Sequence, residues 1–240
     1  KRQVKSGSSE VDLVASGCYV TVGVTAEDAA LKDLCDTMNR CRDMVITYQF
    51  GEQTIKLEGE TICTWILGST QDGLVDVNYD KAAAFVKSMA DQYDTAGKAR
   101  AFHTTTGKDL NLTGPYGWQI DQAGETASLI AMIRTGQSQL REPLYSKKAQ
   151  DRTTDWGKTY VEIDLTNQHV YMYQDGNLAW DAPCVTGNVS KNYTTPEGIY
   201  SLTYKQTDRV LRGEKKADGT YEYESHVDYW MPFNGGIGLH

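Results

Sequence analysis

Apolar residues recur at helical spacing at three places in the first part of the chain, and beyond it they mostly alternate with polar ones. Thr25-Ala26-Glu27-Asp28 reads as a capping box. Leu31, Leu34, Cys35 and Met38 follow at three- and four-residue intervals, which predicts a helix. Ile46, Tyr48 and Phe50 alternate up to Gly51-Glu52, and Ile55 and Leu57 alternate after it, the pattern of a hairpin with a glycine-first turn. Asp80 is placed to cap a second helix whose apolar side is Phe85, Met89 and Tyr93. Phe102 and Thr104, then Gly107, then Leu110 and Leu112 predict another hairpin. A third helix follows Asp121, carries Leu129, Ile130 and Ile133, and ends at Gly136.

Between Arg141 and Trp156 the sequence turns polar and reads as a linker. After it no helical period remains, and nine of the 15 tyrosines fall there, which marks a change of composition. Val161, Ile163 and Leu165 alternate, Thr166-Asn167 turns the chain, and Val170 and Met172 return. Asp175-Gly176 opens a further strand with Leu178 and Trp180, and Asp218-Gly219 separates two more polar–apolar runs. The expected organisation is a tail with a first strand (1–24), an α+β domain (25–140), a linker (141–156) and a mainly antiparallel β domain (157–240). The last is sandwich- or barrel-like.

Composition narrows the function. Forty per cent apolar residues and 23% charged ones belong to a globular chain, not a disordered one. Even a run as long as Leu129-Ile130-Ala131-Met132-Ile133, which no other exceeds, is far short of the ~20 residues that cross a bilayer. The chain starts Lys1-Arg2-Gln3-Val4-Lys5-Ser6-Gly7-Ser8-Ser9, without the apolar stretch of a signal peptide, so the protein is either cytosolic or already relieved of its export segment. A net charge of −8 argues against a nucleic-acid groove, which needs clustered Lys and Arg.

The chemistry-bearing residues are few. Cysteines at 18, 35, 41, 63 and 184 are too scattered for a disulfide framework, and no Cys-x-x-Cys or paired histidine motif is present, so no metal or other cofactor is expected. Cys35 and Cys41 are six residues apart on one predicted helix, about 240° round its axis, and cannot bridge each other. Gly107-Lys108-Asp109 lacks the elements of a phosphate loop, and no Gly-x-Ser-x-Gly elbow occurs.

Two stretches carry a resemblance. The run Tyr160–Tyr171, then Cys184-Val185-Thr186-Gly187 with Thr195-Pro196-Glu197-Gly198-Ile199-Tyr200, then Tyr229-Trp230-Met231-Pro232-Phe233 ending in Gly236-Ile237-Gly238-Leu239-His240, resembles in order and spacing the L,D-transpeptidase (YkuD-like) catalytic domain of bacterial cell-wall synthesis. Earlier, Ala99–Thr105 and Gly114-Pro115-Tyr116-Gly117-Trp118-Gln119-Ile120-Asp121 with Glu125 resemble the peptidoglycan-binding module that precedes it in some members.

The resemblance implies a secreted acyltransferase outside the cytoplasm, at the cell wall or anchored to the membrane. It would act on peptidoglycan stem peptides through a cysteine nucleophile. A thiolate attacks the penultimate carbonyl of a tetrapeptide stem, D-alanine leaves, and the acyl group passes to an amine of another stem. His240 matches the first histidine of the family's motif and would be the general base. Tyr229, Trp230, Met231 and Gly236 would line the substrate groove, although an aromatic run on a strand more often belongs to a core. The Ser-His-Gly-Cys run that follows in the family does not occur in these 240 residues, so the resemblance implies a truncated catalytic domain, and the chain by itself is expected to lack its nucleophile. Cys184, in a strand position, reads as structural. The alternative is a non-catalytic peptidoglycan-binding module with a β remnant packed against it.

Overall fold

The computed structural model describes residues 12–15, 17 and 27–240. Thr25 and Ala26, Cys18 and most of the expected N-terminal tail with its first strand lie outside the described residues. Helix α1 (Ala29–Asp43) is capped by Asp28, whose carboxylate accepts from Leu31 N–H at 3.1 Å. Its buried positions are Thr37 and Cys41, with Leu34 and Met38 half-buried beside them. The expected stripe therefore shifts: Leu34, Met38 and Cys41 stay in line at three- and four-residue steps, while Leu31 and Cys35 fall outside it and are exposed.

Hairpin β1 (Val45–Phe50) and β2 (Gln53–Glu58) turns at Gly51, which sits at φ +65. A short helix, α2 (Gly59–Cys63), and the pair β3 (Ile66–Ser69) and β4 (Val75–Val77) follow. Helix α3 (Tyr79–Tyr93) is capped by Asn78, which accepts from Lys81 N–H at 3.1 Å, and not by Asp80, which lies in its first turn. It buries Ala82, Val86, Met89 and Ala90. Of the expected face, Phe85 and Tyr93 instead lay their rings on Tyr48 and Phe50, at 6.1 and 3.9 Å between centroids.

Hairpin β5 (Arg100–His103) and β6 (Asp109–Leu112) precedes β7 (Gln119–Ile120) and α4 (Gln122–Thr135). Helix α4 buries Leu129, Met132 and Ile133 and stops at Gly136, φ +63, whose N–H bonds Ile133 O. β8 (Gln139–Arg141) joins a sheet of order β2-β1-β8, and β9 (Tyr145–Lys147) pairs with β7. The expected linker, 141–156, thus contains strand residues and the buried Asp155.

The rest is antiparallel β. β10 (Tyr160–Asp164), β11 (His169–Gln174) and β12 (Asn177–Pro183) form one sheet, and β13 (Gln206–Arg212), β14 (Glu224–Asn234) and β15 (Ile237–Leu239) another. Among the described residues these sheets do not close into a barrel. No described helix is long and apolar enough to cross a membrane.

The chain divides into two compact units. One comprises Lys1–Thr47, Lys56–Ala82 and Ser128–Leu140; the other comprises Tyr48–Ile55, Ala83–Ala127 and Arg141–His240. The first has a core of Met44, Ile46, Leu57, Ile62, Leu129 and Ile133. In the second, buried Glu125 accepts from Tyr48 Oη at 2.6 Å, Leu144 N–H at 2.7 Å and Arg141 at 3.0 Å, so its charge is paired and hydrogen-bonded. The Tyr48 phenol is held protonated by burial first and by that carboxylate second.

Candidate active site

The residues expected to carry chemistry lie on the β14–β15 hairpin. Asn234-Gly235-Gly236 reverses the chain, with Gly235 at φ +56, and β15 returns in the register Met231↔Leu239 and Pro232↔Gly238. Gly238 is needed for that approach, because a Cβ there would stand 2.7 Å from Met231 O. The register puts His240 directly across from Trp230. Their rings are tilted by 43° with centroids 6.0 Å apart; Trp230 is 6% exposed, whereas His240 is open to solvent. Side chains alternate along a strand, so Tyr229 and Met231 point to the other side. Tyr229 is 63% exposed and Met231 half-buried. Gly236 sits in the turn, with nothing within 4 Å of where its Cβ would be. Of the five candidate residues the structure brings two together, His240 and Trp230.

The Thr-Pro-x-Gly segment supports this hairpin. Thr203 N–H bonds Pro232 O at 2.8 Å, and Tyr200 packs on Phe233 at 5.6 Å. Ile199 is buried, and its N–H bonds Thr113 O at 2.9 Å while its carbonyl receives Tyr116 N–H at 3.3 Å. A Cβ on Gly114 would collide with the Ile199 carbonyl, so this backbone-to-backbone seat requires glycine.

The Thr-Gly segment is tied down by Gln168. Its amide donates to Thr186 Oγ1 at 2.6 Å and accepts from Thr186 N–H at 2.8 Å; Gly187 N–H then bonds Thr195 Oγ1 at 2.9 Å. Cys184 enters the same lashing through its N–H to Gln168 O at 2.8 Å. Its thiol is pushed up by partial burial and, less, by the Asp164 carboxylate, the reverse of what activates a nucleophile. The other histidines each face an aspartate: His103–Asp109 at 2.8 Å, His169–Asp181 at 2.6 Å and His226–Asp208 at 2.5 Å.

Three polar groups, buried Glu162 and the half-buried Arg100 and Arg152, have no counterpart among the expected residues. Glu162 accepts from Thr105 N–H at 3.0 Å and from Thr105 Oγ1 at 2.6 Å, pinning the β5–β6 turn to β10. Arg100 pairs with Asp155 and donates to Tyr116 O at 2.7 Å. Arg152 lies 3.7 Å over the Trp118 ring, 4.9 Å over Tyr145 and 5.4 Å over Phe50, and bonds the Tyr145 hydroxyl. Burial pushes the Tyr145 phenol up to about 12, against the opposing pull of the Arg152 charge. Alternation put Glu162 on the polar face between Val161 and Ile163, so nothing in the sequence marked it for burial; in the structure Glu162 is buried and Val161 exposed.

Residues 158–240 match the family model of the L,D-transpeptidase catalytic domain, YkuD, and residues 32–141 match the model of a peptidoglycan binding domain. That pairing of domains defines a transpeptidase acting on the cell wall. Among solved structures, the chain is similar to the carbamoyl enzyme that Ldtfm forms with avibactam, at 30% identity over 87% of this chain and 80% of that one, with a TM-score of 0.67. It is similar also to a cysteine-to-serine mutant of Enterococcus faecium L,D-transpeptidase, at 29% identity over 86% and 81%, with a TM-score of 0.66. Among curated proteins nothing matches. The chain belongs to the L,D-transpeptidase family, whose acyltransferase activity forms peptide cross-links in peptidoglycan.

Proposed function

We propose that this protein cross-links peptidoglycan stems through a cysteine acyl-enzyme with His240 as the general base. The observation that carries the assignment is the β14–β15 register, which holds the imidazole at the hairpin end across from a buried indole while leaving it accessible. Such a base must be oriented yet reachable by both the thiol and the attacking amine. Trp230 supplies the orientation. Tyr229, Met231 and Gly236 are proposed stem-peptide contacts offered by the strand's other face and the turn.

In the first half-reaction the imidazole takes the thiol proton, the sulfur attacks the stem carbonyl and D-alanine leaves with that proton. In the second, an amine attacks the thioester and the thiol is released. Cys184 is not assigned the thiol role, given its late ionisation. Residues 25–140 are proposed as the wall-polymer module and 157–240 as the catalytic domain, working outside the cytoplasm where the polymer lies.

The test uses a chain carrying the family's Ser-His-Gly-Cys segment after His240. Incubated with tetrapeptide stems it should give cross-linked product and a thioester on the motif cysteine by intact mass. His240→Gln should abolish most of the rate. An acyl adduct on Cys184, or full activity of the His240→Gln chain, would overturn the assignment.

A further inference from the structure

Four described cysteines carry free thiols: Cys35, Cys41, Cys63 and Cys184. Two of them, Cys41 and Cys63, lie in the same compact unit on helices that touch. The N-terminal end of α2 packs against the C-terminal end of α1 so closely that a Cβ on Gly59 would collide with the Arg42 carbonyl and stand 2.6 Å from Cys41 O. Cys63 follows Gly59 by four residues in α2, and positions i and i+4 of a helix share a face. The side of α2 that carries Cys63 is therefore the side that meets Cys41 and Arg42.

The ionisation of the neighbours agrees with this placement. Burial is the main cause holding the Cys41 thiol protonated, and the sulfur of Cys63 is the next. The Arg42 guanidinium also feels Cys63. Cys35 is on α1 as well, but about 240° round the helix from Cys41. Exposure divides the pair: Cys63 is open to solvent, whereas Cys41 is fully buried and donates its S–H to Ile133 O at 3.1 Å.

We infer that Cys41 and Cys63 form a thiol pair that closes to an intrachain disulfide, with Cys63 as the point of entry. The oxidant is a small-molecule disulfide. The Cys63 thiolate attacks one of its sulfurs and expels a thiolate, leaving a mixed disulfide on Cys63. Cys41, after losing its proton, then attacks the Cys63 sulfur and expels the second thiolate. Two protein thiols are oxidised, and one disulfide is reduced to two thiols. The second step is the slow one, because the buried Cys41 ionises reluctantly. Closing the bond removes the S–H that ties α1 to Ile133, so α1 exchanges its link to α4 for a covalent link to α2. An oxidising compartment outside the cytoplasm suits such a bond.

The probe is glutathione disulfide, applied to the folded 240-residue chain, followed by denaturation, alkylation of remaining thiols and peptide mass mapping. The expected result is a peptide pair joined through Cys41 and Cys63, with the loss of two hydrogens and two fewer alkylated thiols. Because Cys63 is exposed, Cys63→Ser keeps the core intact and should retain Cys41 as an alkylatable thiol. Cys35→Ser should leave the cross-link unchanged. Stable glutathione on Cys63 without closure, linkage of Cys63 to another cysteine, or no oxidation of Cys41 would each overturn the proposal.

Discussion

Of the 23 apolar side chains buried among the described residues, 19 lie between Cys41 and Ile133, and only Val170, Ile199, Val227 and Trp230 lie beyond residue 158. The earlier stretch holds itself by burial, at roughly 1.5–3 kcal/mol for each large aliphatic side chain removed from water. The later one relies on side chains that bond backbone. Asp164 accepts from Thr166 N–H and Asn167 N–H, both at 2.9 Å, and the Asn167 amide bond is first among the reasons its carboxyl sits below the ordinary range. Asn188 caps the short 3-10 turn Val189–Lys191, and Gln168 ties down Thr186. Each such bond nets only about 0.5–1.5 kcal/mol and needs exact geometry, but it leaves the faces of the strands uncovered.

The contrast can be broken most decisively at Leu129, which is fully buried in α4. Leu129→Ala should cost about 2–5 kcal/mol in denaturant unfolding, and a loss below about 1 kcal/mol would remove the claim that this stretch lives on burial. Next comes Glu162→Gln, which turns one acceptor for Thr105 into a donor. It should cost about 1.5–3 kcal/mol and speed amide exchange at Thr105 while α4 keeps its protection. Gly187→Ala pushes a methyl group into the Tyr193 carbonyl and should cost about 1–3 kcal/mol, read as faster exchange confined to residues 184–199.

The smallest effect is at His226, whose imidazole is raised above its ordinary 6.5, chiefly by the hydrogen bond to Asp208. For a raised histidine, the stabilisation is fully present below the unfolded value and is lost as pH rises through the folded one. An NMR titration should find the midpoint above that of a free histidine, and Asp208→Asn should bring it down. Because the pair is fully exposed, global stability should hardly follow.

Legibility followed the same divide. Turn chemistry announced itself: Gly51, Gly136 and Asp175-Gly176 mark real ends, because a left-handed backbone or a tight reversal requires particular residues locally. The cap of α3 was missed by two residues because Asn78 and Asp80 are both capping types, and only the fold decides between them. β13 is exposed nearly throughout and carries no alternation to read. The β7–β9 pair is set by partners distant in sequence, which leave no local period. As for the site, spacing alone gave His240 no special standing; resemblance singled it out. The Trp230 contact depends on hairpin register, which is a property of two strands together. The Arg152 cage drew residues from four separate places and could not be anticipated from any one of them.

The seat of Ile199 on Thr113 and Gly114, together with the Glu162–Thr105 clamp, bears on how such proteins can be recombined. The family boundary in the sequence falls between residues 141 and 158, and a chimera would naturally be cut there. Such a cut exchanges Ile199 and Glu162 but leaves their counterparts, the β5–β6 turn and the Gly114 backbone, with the other parent. A graft that carries residues 100–117 along with 158–240 keeps both contacts within one parent, and the segments it moves are discontinuous in the gene although they touch in the fold.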